Sequence, residues 1–231
     1  MALKVLRTEA LLPELERRFL REANVRIEHP NVVRTLDAGI TRDGAPYIVL
    51  ELLEGRSLDE RLTAGKMEPR SVLLLARQAA SGLAALHREG IVHRDVKPAN
   101  LFCCRDGSVK LLDFGVAHFD LASIATQAGE LLGTLLYFAP EQFFGAYRAD
   151  ARSDVWALGV VLYHALTGAV PFERRAPIET AMAIVQEPHP PLDASIPAAL
   201  AAVVERCLAK RPQDRLPSAV ALRAALDTVR L

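Results

Sequence analysis

The sequence contains little of what marks several protein classes. Its 231 residues include only three cysteines, Cys103, Cys104 and Cys207, of which two are adjacent and none has a metal-binding spacing. A disulfide framework or zinc site is therefore not expected, and a reducing cytoplasm is the predicted location. Lys and Arg (28) balance Asp and Glu (28), so the charge gives no indication of a nucleic-acid partner.

The sequence also has no apolar N-terminal run typical of a signal peptide. One internal stretch, Val155 to Phe172, contains no Asp, Glu, Lys or Arg over 18 residues, which is the lower limit for a bilayer span. Because it includes His164, two glycines and a proline, we predict a helix buried inside a large domain and no membrane span.

Hydrophobic residues (51%) and charged residues (24%) are present in globular proportions, enough for one core shared by two lobes. Hydrophobic periodicity predicts strands at 2–6, Val32–Val33 and Tyr47–Leu50, a helix at 13–23, a hairpin with strands at 100–103 and 109–112, an irregular segment at 116–136, and helices at 69–89, 154–167, 178–186, 197–209 and 217–229. We therefore predict an α+β protein, with a small β lobe over residues 1–53 and a large, mostly helical lobe over residues 54–231.

The segment richest in reactive side chains is His93-Arg94-Asp95-Val96-Lys97-Pro98-Ala99-Asn100. It follows a predicted helix and precedes the predicted hairpin, so it forms a loop that holds an acid, a cation and an amide. Asp113-Phe114-Gly115 begins thirteen residues after Asn100, at the end of an apolar strand. Two acids and an amide that converge between short strands suit magnesium, which prefers oxygen ligands.

Together these motifs resemble the signature of bacterial-type serine/threonine protein kinases, in the order and spacing of that family. The resemblance covers nearly the whole chain. It implies a two-lobed, protein-kinase-like fold with a truncated small lobe, and phosphoryl transfer from ATP, with Mg²⁺, to Ser and Thr hydroxyls of a protein substrate in signalling. Asp95 would accept or orient the hydroxyl proton, Lys97 would neutralise the transferring phosphoryl group, and Asn100 and Asp113 would hold the metal ions.

The resemblance assigns nucleotide binding largely to the small lobe. Ala2-Leu3-Lys4 resembles the end of the family's V-A-I-K strand, and Lys4 would pair with the phosphates and with Glu22 on the next helix. Tyr47 to Gly55 resembles the strand and hinge that bind adenine. The backbone groups of Glu51 and Leu53 would supply those contacts.

Other residues are implied to be structural supports. Ala139-Pro140-Glu141 resembles the end of an activation segment, and Glu141 would form a mostly buried pair with Arg215. Asp154 would brace the backbone of the catalytic loop that includes His93.

The choice of hydroxyl and the regulation are implied by the same resemblance. Lys97, two residues after the catalytic aspartate, and Thr134, shortly before the A-P-E motif, are typical of the Ser/Thr-directed branch. Arg94 marks the class in which a phosphate in the activation segment pairs with that arginine. Ser123 and Thr126 lie in the corresponding stretch and are the candidate phosphosites.

The sequence departs from the family pattern at its start. It contains no G-x-G-x-x-G, and Met1 lies three positions before Lys4. The natural protein starts upstream, or this is a degraded kinase, and we expect impaired ATP binding from the chain as written. Two alternatives stay open: a pseudokinase that acts as a binding scaffold, against which the intact motif residues argue, and a small-molecule phosphotransferase, against which the A-P-E segment argues.

Overall fold

The computed structural model describes residues 1–5, 26–114, 130–144 and 149–231. The strands in these ranges are β1 (Ala2–Val5), β2 (Thr35–Ile40), β3 (Pro46–Leu50), β4 (Gly55–Ser57), β5 (Leu101–Cys104) and β6 (Val109–Leu111). The helices are α1 (Leu58–Leu62), α2 (Pro69–Arg88), α3 (Glu130–Leu135), α4 (Ala151–Thr167), α5 (Pro177–Gln186), α6 (Ala198–Cys207) and α7 (Ala219–Thr228). Short 3₁₀ turns lie at Pro98–Asn100, Pro140–Phe144 and Pro212–Asp214.

The small lobe is built on an antiparallel sheet with the strand order β1-β3-β2. Burial alternates along the first residues of β3, as expected for a strand with one covered face. Ile48 on this strand is fully buried against Ala38 and Leu50. Lys4 lies opposite Ile48 in the register, which fixes the position of the lysine along the sheet.

The prediction of a strand at Val32–Val33 is wrong, since the structure has only an isolated β-bridge there, between Val32 and Leu111. Both valines are buried in the core of the large lobe, and the N–H of Val33 donates to the carbonyl of Leu111 at 2.9 Å. The neighbouring strand is instead β2, whose alternation is interrupted by Asp37 and Gly39. Pairing with β3 makes this segment a strand, because β-propensity depends strongly on sheet context.

The large lobe is organised around α2 and α4. Pro69 occupies the first turn of α2, where its missing N–H costs nothing. The apolar stripe of α2 faces the core, as predicted, through Val72, Leu75, Ala76, Ala79, Leu83 and Leu86. Helix α4 is buried on almost every side, which confirms the predicted buried helix, and none of the described helices is long and apolar enough to cross a membrane.

The ends and surface of α4 explain how it fits the core. Asp150 caps its N-terminus by accepting from the N–H of Arg152, and Gly168 ends it in the left-handed conformation at φ 80°. At Gly159 an added Cβ would lie 2.5 Å from the Cβ of Cys207, so a glycine is required where α6 crosses α4. In contrast, the helix α3 at Glu130–Leu135 lies in a segment that we predicted to be irregular.

A second antiparallel sheet, with the order β4-β5-β6, lies beside the connection between the lobes. Strands β5 and β6 form the predicted hairpin, with Leu101 opposite Leu111. Beyond the paired residues, the N–H of Leu112 donates to the carbonyl of Asn100 at 2.9 Å. This hairpin therefore brings the end of the catalytic loop next to the start of the Asp113-Phe114 segment.

Candidate active site

A buried carboxylate fixes the loop between α2 and β5. Asp154, on the first turn of α4, accepts from the backbone N–H groups of His93 and Arg94, each at 2.8 Å. The Nε2 atom of His87 lies 2.7 Å from the same carboxylate. Arg94 has a positive φ of 65°, a left-handed conformation that costs roughly 1–2 kcal/mol for a residue with a Cβ. The hydrogen bonds that Asp154 accepts from the N–H groups of His93 and Arg94 stabilise this turn.

Asp95 follows that turn and is surrounded by two of the predicted site residues. The side-chain amide of Asn100 donates to the carbonyl and to the Oδ2 atom of Asp95, both at 2.8 Å. The Nζ atom of Lys97 lies 3.0 Å from the same Oδ2 atom and donates to the hydroxyl of Thr134 at 2.8 Å. The structure thus brings together Asp95, Lys97, Asn100 and Thr134, which come from two separate segments.

The other carboxylate oxygen of Asp95 has a different environment. Its Oδ1 atom is buried and forms no hydrogen bond with any residue that the structure describes. Leaving a buried acceptor unpaired costs about 1–3 kcal/mol, and such groups concentrate at functional sites. Because Oδ1 is buried, a substrate hydroxyl can approach the carboxylate of Asp95 only from the side of Oδ2, the oxygen that Asn100 and Lys97 contact.

Asp113 faces this cluster from the end of β6. Its backbone also adopts a left-handed conformation, at φ 52°, and Phe114 beside it is buried in the core. The Nζ atom of Lys4 lies 2.6 Å from the Oδ1 atom of Asp113, which joins the small lobe to the large lobe. The predicted partner of Lys4, Glu22, lies outside the described residues, as do the candidate phosphosites Ser123 and Thr126.

The donor set between Asn100 and Asp113 fits a hard cation. Because the amide nitrogen of Asn100 is occupied by Asp95, its oxygen is left as a ligand, and Asp113 retains a second carboxylate oxygen. No group of three or more His, Cys, Asp and Glu side chains in the described residues could hold a metal by itself. Mg²⁺ is usually held by one or two protein oxygens together with water and substrate phosphates.

The predicted hinge follows β3 directly. The carboxylate of Glu51 accepts from the N–H of Arg34 at 2.8 Å and from the Nζ atom of Lys110 at 2.7 Å. Among the described residues, the carbonyl of Glu51 and the N–H of Leu53 take part in no backbone hydrogen bond. The acceptor and the donor that the family resemblance assigned to adenine are thus among the backbone groups that this segment leaves without a backbone partner.

Glu141, in the 3₁₀ turn Pro140–Phe144, forms an ion pair with Arg215, which follows the turn Pro212–Asp214. The guanidinium contacts both carboxylate oxygens, at 2.8 and 2.7 Å. The side chain of Arg215 is fully buried and also donates to the carbonyls of Ala209, Arg152 and Lys210. Ser153 supplies a further hydrogen bond to Glu141 at 2.7 Å, so the pair has the additional partners that a buried charge requires.

A cavity of about 430 Å³ extends from the Lys97–Thr134 contact. We call it the substrate groove; it is lined by the residues after Lys97, by the segment from Gly133 to Tyr137, by Asp59 on α1, and by His164 and Glu173 at the end of α4 and beyond. The carboxylates of Asp59 and Glu173 form no ion pair with any described residue.

Tyr137 and His164 form the inner wall of the substrate groove. The hydroxyl of Tyr137 lies 3.1 Å from the Nδ1 atom of His164. Burial raises the pKa of Tyr137 far above its usual value, and nearby Asp59 and Glu173 add to this effect. Burial lowers the pKa of His164, while the same two carboxylates oppose that change. Both rings are therefore uncharged near neutral pH, and the negative charge of the groove comes from Asp59 and Glu173.

Sequence reasoning missed the charged and polar residues that line the substrate groove outside the quoted motifs. Asp59, His164 and Glu173 come from three separate segments and belong to no short motif, so the sequence contained no local signal for them. It also missed Lys110, whose contact with Glu51 ties β6 to the hinge.

Comparison with known proteins gives a consistent result. The family model described as "Protein kinase domain" matches residues 1–225. The serine/threonine-protein kinase PknB of Mycobacterium leprae is 40% identical over 241 residues, which cover 99% of this chain and 38% of that protein. PknB of Mycolicibacterium smegmatis shows the same identity and coverage. A probable serine/threonine-protein kinase of Corynebacterium efficiens is 41% identical over 243 residues, covering 98% of this chain and 37% of its own length. The chain therefore spans little more than a third of these relatives.

Proposed function

Because the chain belongs to the protein kinase family, we propose that it transfers the γ-phosphoryl group of ATP to serine or threonine hydroxyls of a protein. The observation that carries the proposal is the convergence of Asn100 and Lys97 on the Oδ2 atom of Asp95. Nothing in the comparisons favours a pseudokinase.

The reaction needs positioning and charge neutralisation more than covalent chemistry by the protein. The carboxylate of Asp95 holds the substrate hydroxyl and takes its proton as the oxygen–phosphorus bond forms and the bond to ADP breaks. The Nζ atom of Lys97, between Asp95 and Thr134, offsets the negative charge of the transferring group. Lys4 would contact the nucleotide phosphates, and the backbone of Glu51 and Leu53 would bind adenine.

Magnesium is the cofactor that this family uses with ATP. Asn100 and Asp113 would hold it through the oxygens that their hydrogen bonds leave available. When bound, it supplies positive charge to the phosphate oxygens.

Serine and threonine are the proposed acceptors because of the contact between Lys97 and Thr134. This 2.8 Å hydrogen bond joins the catalytic loop to the wall of the substrate groove, close to Asp95. The names of the relatives, serine/threonine-protein kinases, support the same choice.

The remaining proposals concern organisation and regulation. We place the boundary between the lobes at residues 53 and 54, between the sheet that ends with β3 and the sheet that begins with β4. Phosphorylation at Thr126 or Ser123 would give Arg94 an additional anionic partner. Balanced charge and three cysteines outside any disulfide support a cytoplasmic role without a nucleic-acid partner.

Asp95→Asn tests the proposal directly. We expect transfer of labelled phosphate from Mg-ATP to a protein substrate to fall by about 10²-fold or more, while the melting temperature stays close to that of the wild type. Asp43→Asn, in an exposed turn, is the matched control and should retain full activity. Equal transfer rates for the two variants would remove Asp95 from the chemistry.

A further inference from the structure

A second cavity lies on the other side of α1 from the substrate groove. It has a volume of about 400 Å³ and is lined by Gly55, Arg56, Arg61, Cys103, Cys104 and Arg105. We call it the arginine cavity. All of its charged lining residues are arginines, although the chain as a whole has no net charge.

The strand register places two of these arginines around Cys103. Arg56 lies opposite Cys103 in the antiparallel pairing of β4 with β5, so the two side chains share one face of the sheet. Arg61 reaches the same position from α1. Burial raises the pKa of the Cys103 thiol, and the nearby guanidinium groups of Arg61 and Arg56 oppose that rise. The cavity floor is thus a buried thiol flanked by two guanidinium groups.

Carboxylates do little to neutralise this charge. Arg105 contacts Glu54 at 3.5 Å, but both side chains are at least three-quarters exposed, and such a pair contributes little. The nearby Glu60 is used by the cap of α1, where it accepts from the N–H of Ser57. Three like charges in one concave surface raise the local concentration of anions.

We infer that the arginine cavity binds a phosphate group, either as the free anion or on a phosphorylated side chain. Guanidinium groups match phosphate oxygens with paired hydrogen bonds. A phosphate monoester carries about −1.5 to −2 charges at neutral pH and three acceptor oxygens, enough to engage three arginines at once. A single carboxylate offers two oxygens and one charge. The inference goes beyond the proposed kinase activity and does not depend on it.

Calorimetric titration distinguishes the possible ligands. The 231-residue chain is titrated with inorganic phosphate, with a short phosphothreonine peptide, and with the same peptide carrying threonine or glutamate at that position. We expect saturable binding of phosphate or of the phosphopeptide, and at least about tenfold weaker binding of the other two peptides. Saturation by phosphate alone indicates the free anion, and preference for the phosphopeptide indicates a phosphorylated protein. Equal binding of the glutamate peptide would overturn the assignment to phosphate.

Substitutions and cysteine labelling locate the binding. Arg56→Gln combined with Arg61→Gln should weaken binding about tenfold or more, whereas Arg42→Gln with Arg175→Gln, both exposed and outside the cavity, should not. Arg105→Gln provides a second test if the first double variant melts early. Cys104 is the one cysteine that is not buried, so phosphate should slow its alkylation in the wild type and the control. An unchanged alkylation rate at saturating phosphate would place the bound anion elsewhere and refute the inference.

Discussion

Asp154 accepts hydrogen bonds from His87 and from the backbone N–H groups of His93 and Arg94. In all three contacts the acceptor is a carboxylate oxygen of Asp154, and the side chain of Asp154 is only 1% exposed. A single side chain thus connects α2, the catalytic loop and α4. Because Asp95 directly follows Arg94, any movement of this turn also moves the carboxylate of Asp95.

Asp154→Asn should destabilise the protein and slow phosphoryl transfer. The amide has one acceptor oxygen, and its NH₂ group faces a donor, which costs about 1–3 kcal/mol. Asp150→Asn, one turn earlier, is the matched control: asparagine keeps the helix cap, and only the partly exposed ion pair with Arg152 is lost, which contributes about 0–1 kcal/mol. Urea unfolding of both variants, with transfer rates measured alongside, is the test. Equal stabilities would show that the hydrogen bonds of Asp154 contribute little.

At the scale of elements, the ion pair between Glu141 and Arg215 joins two 3₁₀ turns that are 74 positions apart. Replacing either residue by alanine should cost about 3–5 kcal/mol, because the remaining charge stays buried without its partner. The double variant should lose less than the sum of the two. The exposed pair of Arg223 and Asp227 on α7 is the control, worth about 0.3–0.5 kcal/mol. Additive losses in the first cycle would mean that the pair does not couple.

The substrate groove leads to a prediction about peptide preference, conditional on the proposed kinase activity. Asp59 and Glu173 face a cavity that begins at Lys97 and Thr134, so substrates with an arginine near the acceptor hydroxyl should be favoured. Glu173→Lys should lower kcat/KM for such a peptide by about tenfold, since reversal of one charge changes an attraction into a repulsion. The same variant should have a higher kcat/KM than the wild type for a peptide in which glutamate replaces that arginine. Glu179→Lys, exposed on α5, is the control, and a similar effect there would indicate a general charge effect.

The long helices could be predicted from the sequence because the spacing of their apolar residues matches the faces that are buried in the core. The six apolar positions of α2 lie on one face, and α4 is apolar all round because it is buried all round. Strand β2 was not predictable, since Asp37 and Gly39 break its alternation and its pairing with β3 is a tertiary effect. The strand predicted at Val32 and Val33 is wrong because buried loop residues can be as apolar as strand residues.

In the candidate site, too, residues close together in the sequence could be predicted, whereas residues far apart in the sequence could not. Asp95, Lys97 and Asn100 are neighbours in sequence, so their convergence could be expected from the sequence alone. Asp59 and Glu173 are 114 positions apart and converge only because α1 and the end of α4 border one groove. The negative charge of the substrate groove could therefore be recognised only from the three-dimensional structure.

At the scale of the whole molecule, the two lobes are joined by ion pairs as well as by the chain. Lys4 on β1 contacts Asp113, and Lys110 on β6 contacts Glu51 after β3. The first pair lies at the proposed phosphate end of the cleft and the second at the adenine end. Relative movement of the lobes would therefore alter the two ends of the nucleotide site together.

Lys210 links the stability of the whole large lobe to pH. Its Nζ atom donates to the carbonyls of Ala183 and Ile184 at the end of α5 and lies 3.8 Å from the ring centre of Phe172. Burial, opposed by Glu187 and assisted by Arg215, lowers the pKa of Lys210 to about 8 from its usual 10.5. Between those two pH values the unfolded chain binds more protons than the folded chain, so the free energy of unfolding rises with pH.

Lys210→Met removes the titrating amine. The difference in unfolding free energy between the wild type and this variant therefore reports on Lys210 alone, because all other ionisable groups are the same in both proteins. Between pH 7.5 and 9.5, the wild type should gain about 1 kcal/mol of unfolding free energy relative to the variant, after allowance for partial exposure of the amine. Lys66→Met, at an exposed position, is the matched control and should follow the wild type in parallel. Urea unfolding at the two pH values measures all three proteins. A constant difference between the wild type and Lys210→Met would show that Lys210 stays protonated across this range, so that its hydrogen bonds and ring contact fully compensate its burial.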